Sequence, residues 1–138
     1  MIESARRYRF AAAHVLASPK LSAPENVRVY GKCANPNGHG HDYGLEVTIG
    51  GPVDPVAGWI APPAAIDALV REHVLDRLDH CLLNEVPLFA GRVPTAENIA
   101  IVAHEALVAP IAALGTARLV RVRVVETPRN AFETGESA

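Results

Sequence analysis

The chain has 138 residues, of which 49% are hydrophobic and 20% charged, so it is long enough for one packed domain (1–138) and too short for two. A net charge of −2, with thirteen Lys and Arg clustered only modestly at Arg118, Arg121 and Arg123, excludes nucleic acid as the main partner. No apolar run reaches the length of a membrane span and Met1–Arg7 carries no signal-peptide core, so no membrane partner and a cytoplasmic location are expected.

Residues 6–13 alternate as a strand, with Tyr8, Phe10 and Ala12 on one face, and His14 ends it on that same face. From residue 16 to 32 the pattern dissolves into Pro, Ser, Asn and Gly, which reads as a long loop. A second strand spans about residues 41–50 and closes on Gly50-Gly51-Pro52. Ile66, Leu69, Val70, His73, Val74 and Leu78 recur at helical spacing over residues 62–78, with Pro62 and Pro63 tolerated only in the first turn. Thr95 is an N-cap for a second helix, Glu97 sits in its first turn, and Ile99, Val102, Ala103, Ala106 and Leu107 form its buried stripe. Pro110 is expected to end or kink it. Residues 118–126 form a third strand with Val120, Val122, Val124 and Glu126 on one face, and a short fourth lies near 131–134. The order is ββααββ: an α+β fold with an antiparallel sheet carrying two helices on one face.

The chemistry gathers in Cys33-Ala34-Asn35-Pro36-Asn37-Gly38-His39-Gly40-His41-Asp42-Tyr43. In extended chain, residues i and i+2 face the same way about 6.5–7 Å apart, so His39 and His41 converge on one point. Alone, such a pair reads more readily as surface polar residues flanking a turn. If the first two strands are neighbours, His14 joins them, and three neutral imidazoles with an open position describe catalytic zinc. Cys33, in polar surroundings beside Lys32, reads as a reactive thiol, whereas Cys81 before Leu82-Leu83 reads as core. Asp79-His80 is either a charge pair at a helix end or a proton relay. Glu126 continues an apolar face, so either the strand has left the core there or a ligand pocket holds the carboxylate.

Together these motifs resemble the 6-pyruvoyl-tetrahydropterin synthase family, which includes the 6-carboxytetrahydropterin synthases of queuosine biosynthesis. The marks are Phe10-Ala11-Ala12-Ala13-His14, residues 31–43, Leu78-Asp79-His80, Leu83-Asn84, Pro94-Thr95-Ala96-Glu97-Asn98 and Val125-Glu126-Thr127. The resemblance implies a tunnelling fold (T-fold), a ββααββ unit assembled into a homo-oligomeric barrel, commonly a dimer of trimers, with active sites between subunits. It implies that His14, His39 and His41 hold Zn2+, that Cys33 is the thiolate base, and that Asp79 and His80 form the relay, contributed by a neighbouring subunit. Glu126 is similar to the glutamate that anchors the pterin, with Thr95 nearby and Glu97 in support. The implied reaction converts 7,8-dihydroneopterin triphosphate to 6-pyruvoyl-tetrahydropterin with loss of triphosphate. The alternative is the 6-carboxy product with release of acetaldehyde and triphosphate; five residues between Cys33 and His39 favour the pyruvoyl branch. A non-catalytic pterin-binding oligomer would need no Cys33, Asp79 and His80. Two departures from the family pattern are Pro62-Pro63 at the start of the first helix and Asp42 beside His41.

Overall fold

Two thirteen-residue strands carry the sheet in a computed structural model of the chain, which describes residues 1–135. β1 (Ile2–His14) and β2 (His39–Gly51) pair antiparallel in unbroken register, from Ile2 opposite Gly51 to His14 opposite His39. β4 (Arg118–Thr127) pairs with β2, and β5 (Asn130–Glu133) pairs with β4. A two-residue strand, β3 (Cys81–Leu82), runs parallel to β1 at Ala12 and Ala13, giving the order β3-β1-β2-β4-β5. β3 is too short to show a period, so the sequence pattern could not announce it.

The expected strands and the two main helices are present, and both long strands extend further than their patterns implied. His39, ahead of the expected start, therefore lies inside β2 together with His41. The stretch read as a patternless loop contains a helix, α1 (Ala23–Tyr30). Its start is a capping box: Ser22 Oγ accepts from Glu25 N, and the Glu25 carboxylate accepts from Ser22 N. α1 buries none of its residues, so it carries no apolar stripe for a periodicity reading to find.

The next helical run is continuous but not uniform: α2 (Pro63–Val70), a π turn (Arg71–Leu75) and a final turn, α3 (Asp76–Leu78). Its buried residues Ile66, Val70, Val74 and Leu78 are spaced by four. A spacing of four drifts around a 3.6-residue helix, and the wider π turn takes up that drift so the stripe stays on the core. Pro62 supplies no side-chain cap, as expected of a proline there. α4 (Ala96–Ala112) begins at the Thr95 cap and runs past Pro110 rather than ending there. Full burial of Ile111 and the bond from Ala113 N to Ala109 O hold its last turn despite the missing donor.

The helices cover one sheet face, where Phe10, Tyr43, Leu45, Val47, Ile49, Val122 and Val124 pack against Ile66, Val70, Ile99 and Leu107. Gly51 is a point of close approach: a Cβ there would lie 2.5 Å from the Thr116 carbonyl oxygen. The other sheet face is charged, with Arg7 paired to Glu46 at 3.0 Å and Arg121 to Glu3 at 3.1 Å. Among the described residues no helix is long and apolar enough to cross a membrane.

Candidate metal centre and active site

At one end of the helix-covered face the apolar side chains give way to imidazoles. Tyr43 stacks on Phe10 with ring centroids 4.9 Å apart. Beyond them, Ala12 lies opposite His41 and His14 opposite His39. Because side chains two apart share a face, this register delivers His14, His39 and His41 to one point. One ring nitrogen from each lies within 4.8 Å of the others, and His14 Nε2 and His39 Nε2 are 3.0 Å apart.

His14 is fully buried, and its Nδ1 lies 2.7 Å from the carbonyl oxygen of Pro94. A carbonyl only accepts, so this partner assigns the proton to Nδ1 and leaves the Nε2 lone pair facing the other two rings. Burial lowers the pKa of His14, the bond to Pro94 opposes this, and the neighbouring imidazoles lower it further. Burial likewise lowers His39, helped by His41. Both rings are thus biased to the neutral form a metal requires. Three converging nitrogen donors, one with a fixed outer hydrogen bond, fit a metal ion with a position left for another ligand.

The pair Asp79-His80 follows α3. The Asp79 carboxylate accepts from Ala11 N at 2.9 Å and lies 3.1 Å from His80 Nδ1. His80 N donates to Ala11 O, and Asn84 then clasps Val15, accepting from its N and donating to its O at 2.8 Å each. Residues 79–84 are therefore fastened along the strand end that carries His14. The His80 ring is 81% exposed, on a backbone with φ of 60°. It shares a groove of about 470 Å³ with His41, Asp42 and Cys81. Cys81 packs partly against the core as expected, and its thiol donates to Asp79 O at 3.5 Å.

Cys33 lies in a 3₁₀ turn (Gly31–Ala34), half-buried, and its carbonyl accepts from Leu16 N at 2.8 Å. That bond brings its backbone near the end of β1. Within one chain, and among the described residues, its thiol makes no hydrogen bond to the imidazoles, Asp79 or His80.

Glu126 lies on β4 one step beyond the Gly44–Val125 pair, on the histidine side of the sheet. Its charge favours protonated His14 and His39 and opposes ionisation of Tyr43, although burial is the larger cause for Tyr43. Asn130 Nδ2 donates to it at 3.3 Å. Glu126 also borders a cavity of about 850 Å³, which opens on the charged sheet face beside Arg7, Arg9 and Arg123 rather than at the imidazoles. Thr95 caps α4, its Oγ1 accepting from Asn98 N at 3.2 Å, one residue from the carbonyl that holds His14. Glu97 is exposed and borders a different cavity, with His104 and Phe132; this chain does not bring it to the histidines. His104 bonds Thr134 Oγ1 at 2.8 Å, and His73 lies beside Glu72, both away from the triad.

Asn84 and Pro94 lie in motifs quoted above, but the clasp and the role of the Pro94 carbonyl are not readable from the sequence. An asparagine just after a turn is a weak signal for the first. A backbone carbonyl gives none at all.

Residues 3–137 match the model of the family described as 6-pyruvoyl tetrahydropterin synthase. The chain is 41% identical over 128 residues to the 6-pyruvoyl tetrahydrobiopterin synthase of Homo sapiens, an alignment covering 91% of this chain and 85% of that protein. It is 36% identical to the corresponding Drosophila melanogaster protein, covering 91% of this chain and 74% of that one. Its fold matches the structure of Caenorhabditis elegans 6-pyruvoyl tetrahydropterin synthase with a TM-score of 0.91 at 39% identity, over 99% of this chain and 96% of that one. The chain belongs to the 6-pyruvoyl tetrahydropterin synthase family.

Proposed function

We propose that this protein is a zinc-dependent lyase that converts 7,8-dihydroneopterin triphosphate to 6-pyruvoyl-tetrahydropterin with loss of triphosphate. The observation that carries the reading is the convergence of His14, His39 and His41 at the polar end of the core, with Glu126 on the same face. Nitrogen-only ligation with an open position suits zinc. Bound there, zinc would act as a Lewis acid toward the substrate's side-chain hydroxyls and so acidify the adjacent C–H. Glu126 accepts the guanidine-like NH–C–NH2 edge of the pterin, a bidentate match, with Thr95, one residue from the carbonyl that holds His14, as a further substrate contact; Glu97, which borders a different cavity, is left out of the site. Cys33, as thiolate, takes a proton from the substrate side chain, and His80, oriented by Asp79, returns one.

The exposure of His80, and a Cys33 thiol that makes no hydrogen bond to Asp79, His80 or the imidazoles among the described residues, support a site completed between subunits. The assembly we infer is a homohexamer, a dimer of trimers of this single-domain chain, working in the cytoplasm. Mass spectrometry of products after incubating the zinc-loaded protein with 7,8-dihydroneopterin triphosphate tests the reaction. A 6-pyruvoyl product is expected. A 6-carboxy product with acetaldehyde would move the protein to the carboxy branch, and unchanged substrate would leave a pterin-binding oligomer.

A further inference from the structure

We propose that Asn98 is a positioning residue for the metal centre, fixing the tautomer and direction of His14 through the carbonyl of Pro94; this rests on the metal-binding reading above. Asn98 touches none of the three imidazoles. It acts on the turn that precedes α4. Its Nδ2 donates to Val93 O at 2.8 Å, and Thr95 N donates to the same oxygen at 2.8 Å. The bond from Thr95 to Val93 spans two residues, so it is a γ-turn centred on Pro94, a conformation that proline's restricted φ suits.

A three-residue turn is a weak element by itself. Asn98 closes it from the helix side, while its own N–H is held by Thr95 Oγ1 at 3.2 Å and Ile99 N bonds Thr95 O at 2.9 Å. Folded this way, the turn uses the Val93 carbonyl twice and leaves the Pro94 carbonyl aimed outward, 2.7 Å from His14 Nδ1. Pro94 and His14 are both buried, so water does not replace that acceptor. With the turn loosened, His14 Nδ1 keeps only the Tyr43 hydroxyl at 3.4 Å, which donates as readily as it accepts, so the proton is no longer held on Nδ1 and Nε2 is no longer reserved for a metal. Outer partners of metal-bound histidines are worth about 10–100-fold in affinity.

The test compares the full chain with Asn98→Ala and Asn98→Asp, the second keeping the shape while replacing the donor with an acceptor that repels Val93 O. Long-range 15N–1H correlations of the metal-free proteins read the histidine tautomers, and competition with a chromophoric chelator reads zinc affinity. The wild type is expected to carry the His14 proton on Nδ1. The variants are expected to show mixed tautomers and zinc affinity lower by about tenfold, with helix content retained. Variants with an unchanged tautomer and unchanged affinity would overturn the role of Asn98, as would a wild-type His14 protonated on Nε2. Wild-type protein that takes up no zinc would count against the metal centre itself, and the tautomers of the metal-free proteins would then still decide the role of Asn98.

Discussion

Asp79 and Ala11 are joined at two points: the Asp79 carboxylate accepts from Ala11 N at 2.9 Å, and the N–H of the next residue, His80, returns to Ala11 O. The carboxylate thus holds a strand edge and orients an imidazole with the same oxygen. Asp79→Asn keeps an acceptor for Ala11 and loses the charge facing His80, whereas Asp79→Ala loses both. Turnover should fall by about 100-fold or more in each. Only the alanine variant should also lose stability, by about 1 kcal/mol, since the side chain is partly exposed. Urea denaturation beside initial rates separates the two effects.

Cys33 has no structural partner for its thiol among the described residues, so its removal should leave the fold and the histidines intact. Cys33→Ala is expected to abolish turnover while binding the same amount of zinc. Unchanged turnover would remove the thiolate from the mechanism.

Glu126→Gln keeps the bond from Asn130 available but replaces one acceptor oxygen with a donor that clashes with an amino-pyrimidine edge. Activity should drop with a raised KM, by about 10–100-fold in kcat/KM, as for other hydrogen bonds to charged groups. Zinc content should be unaffected.

The metal-free protein should lose stability in mild acid. His14 and His39 both have folded pKa values below the ordinary 6.5, chiefly through burial. The unfolded chain therefore takes up protons first, so the contribution is complete above about pH 6.5 and is lost progressively below it. Denaturation midpoints of chelator-treated protein at pH 8 and pH 5.5 measure this; a midpoint flat across that range would contradict it.

How much of this was legible follows from which features repeat. The long strands and the stripe of α4 announce themselves through apolar periodicity, and the spacing of His39 and His41 needs only a strand to become a common face. Placing His14 with them required the pairing of β1 and β2, which a single period does not specify. The helix α1 escaped because it buries nothing, although its Ser22 and Glu25 capping box was present in the sequence. Pro110 does not end α4 because the burial of Ile111 outweighs one lost helical bond. The turn at Pro94 is invisible to pattern reading, since the group that matters is a main-chain oxygen.

At position 80 the chain keeps an L-residue where its φ of 60° would suit glycine. A left-handed backbone costs an ordinary residue about 1 kcal/mol or more. Replacing His80 with glycine should therefore raise the melting temperature while silencing the enzyme, and His80→Ala should silence it without that gain. With His80 as the proposed proton donor, thermal robustness and catalysis would be set against each other at this one residue, and a library selected for heat tolerance alone would be drawn toward an inactive protein.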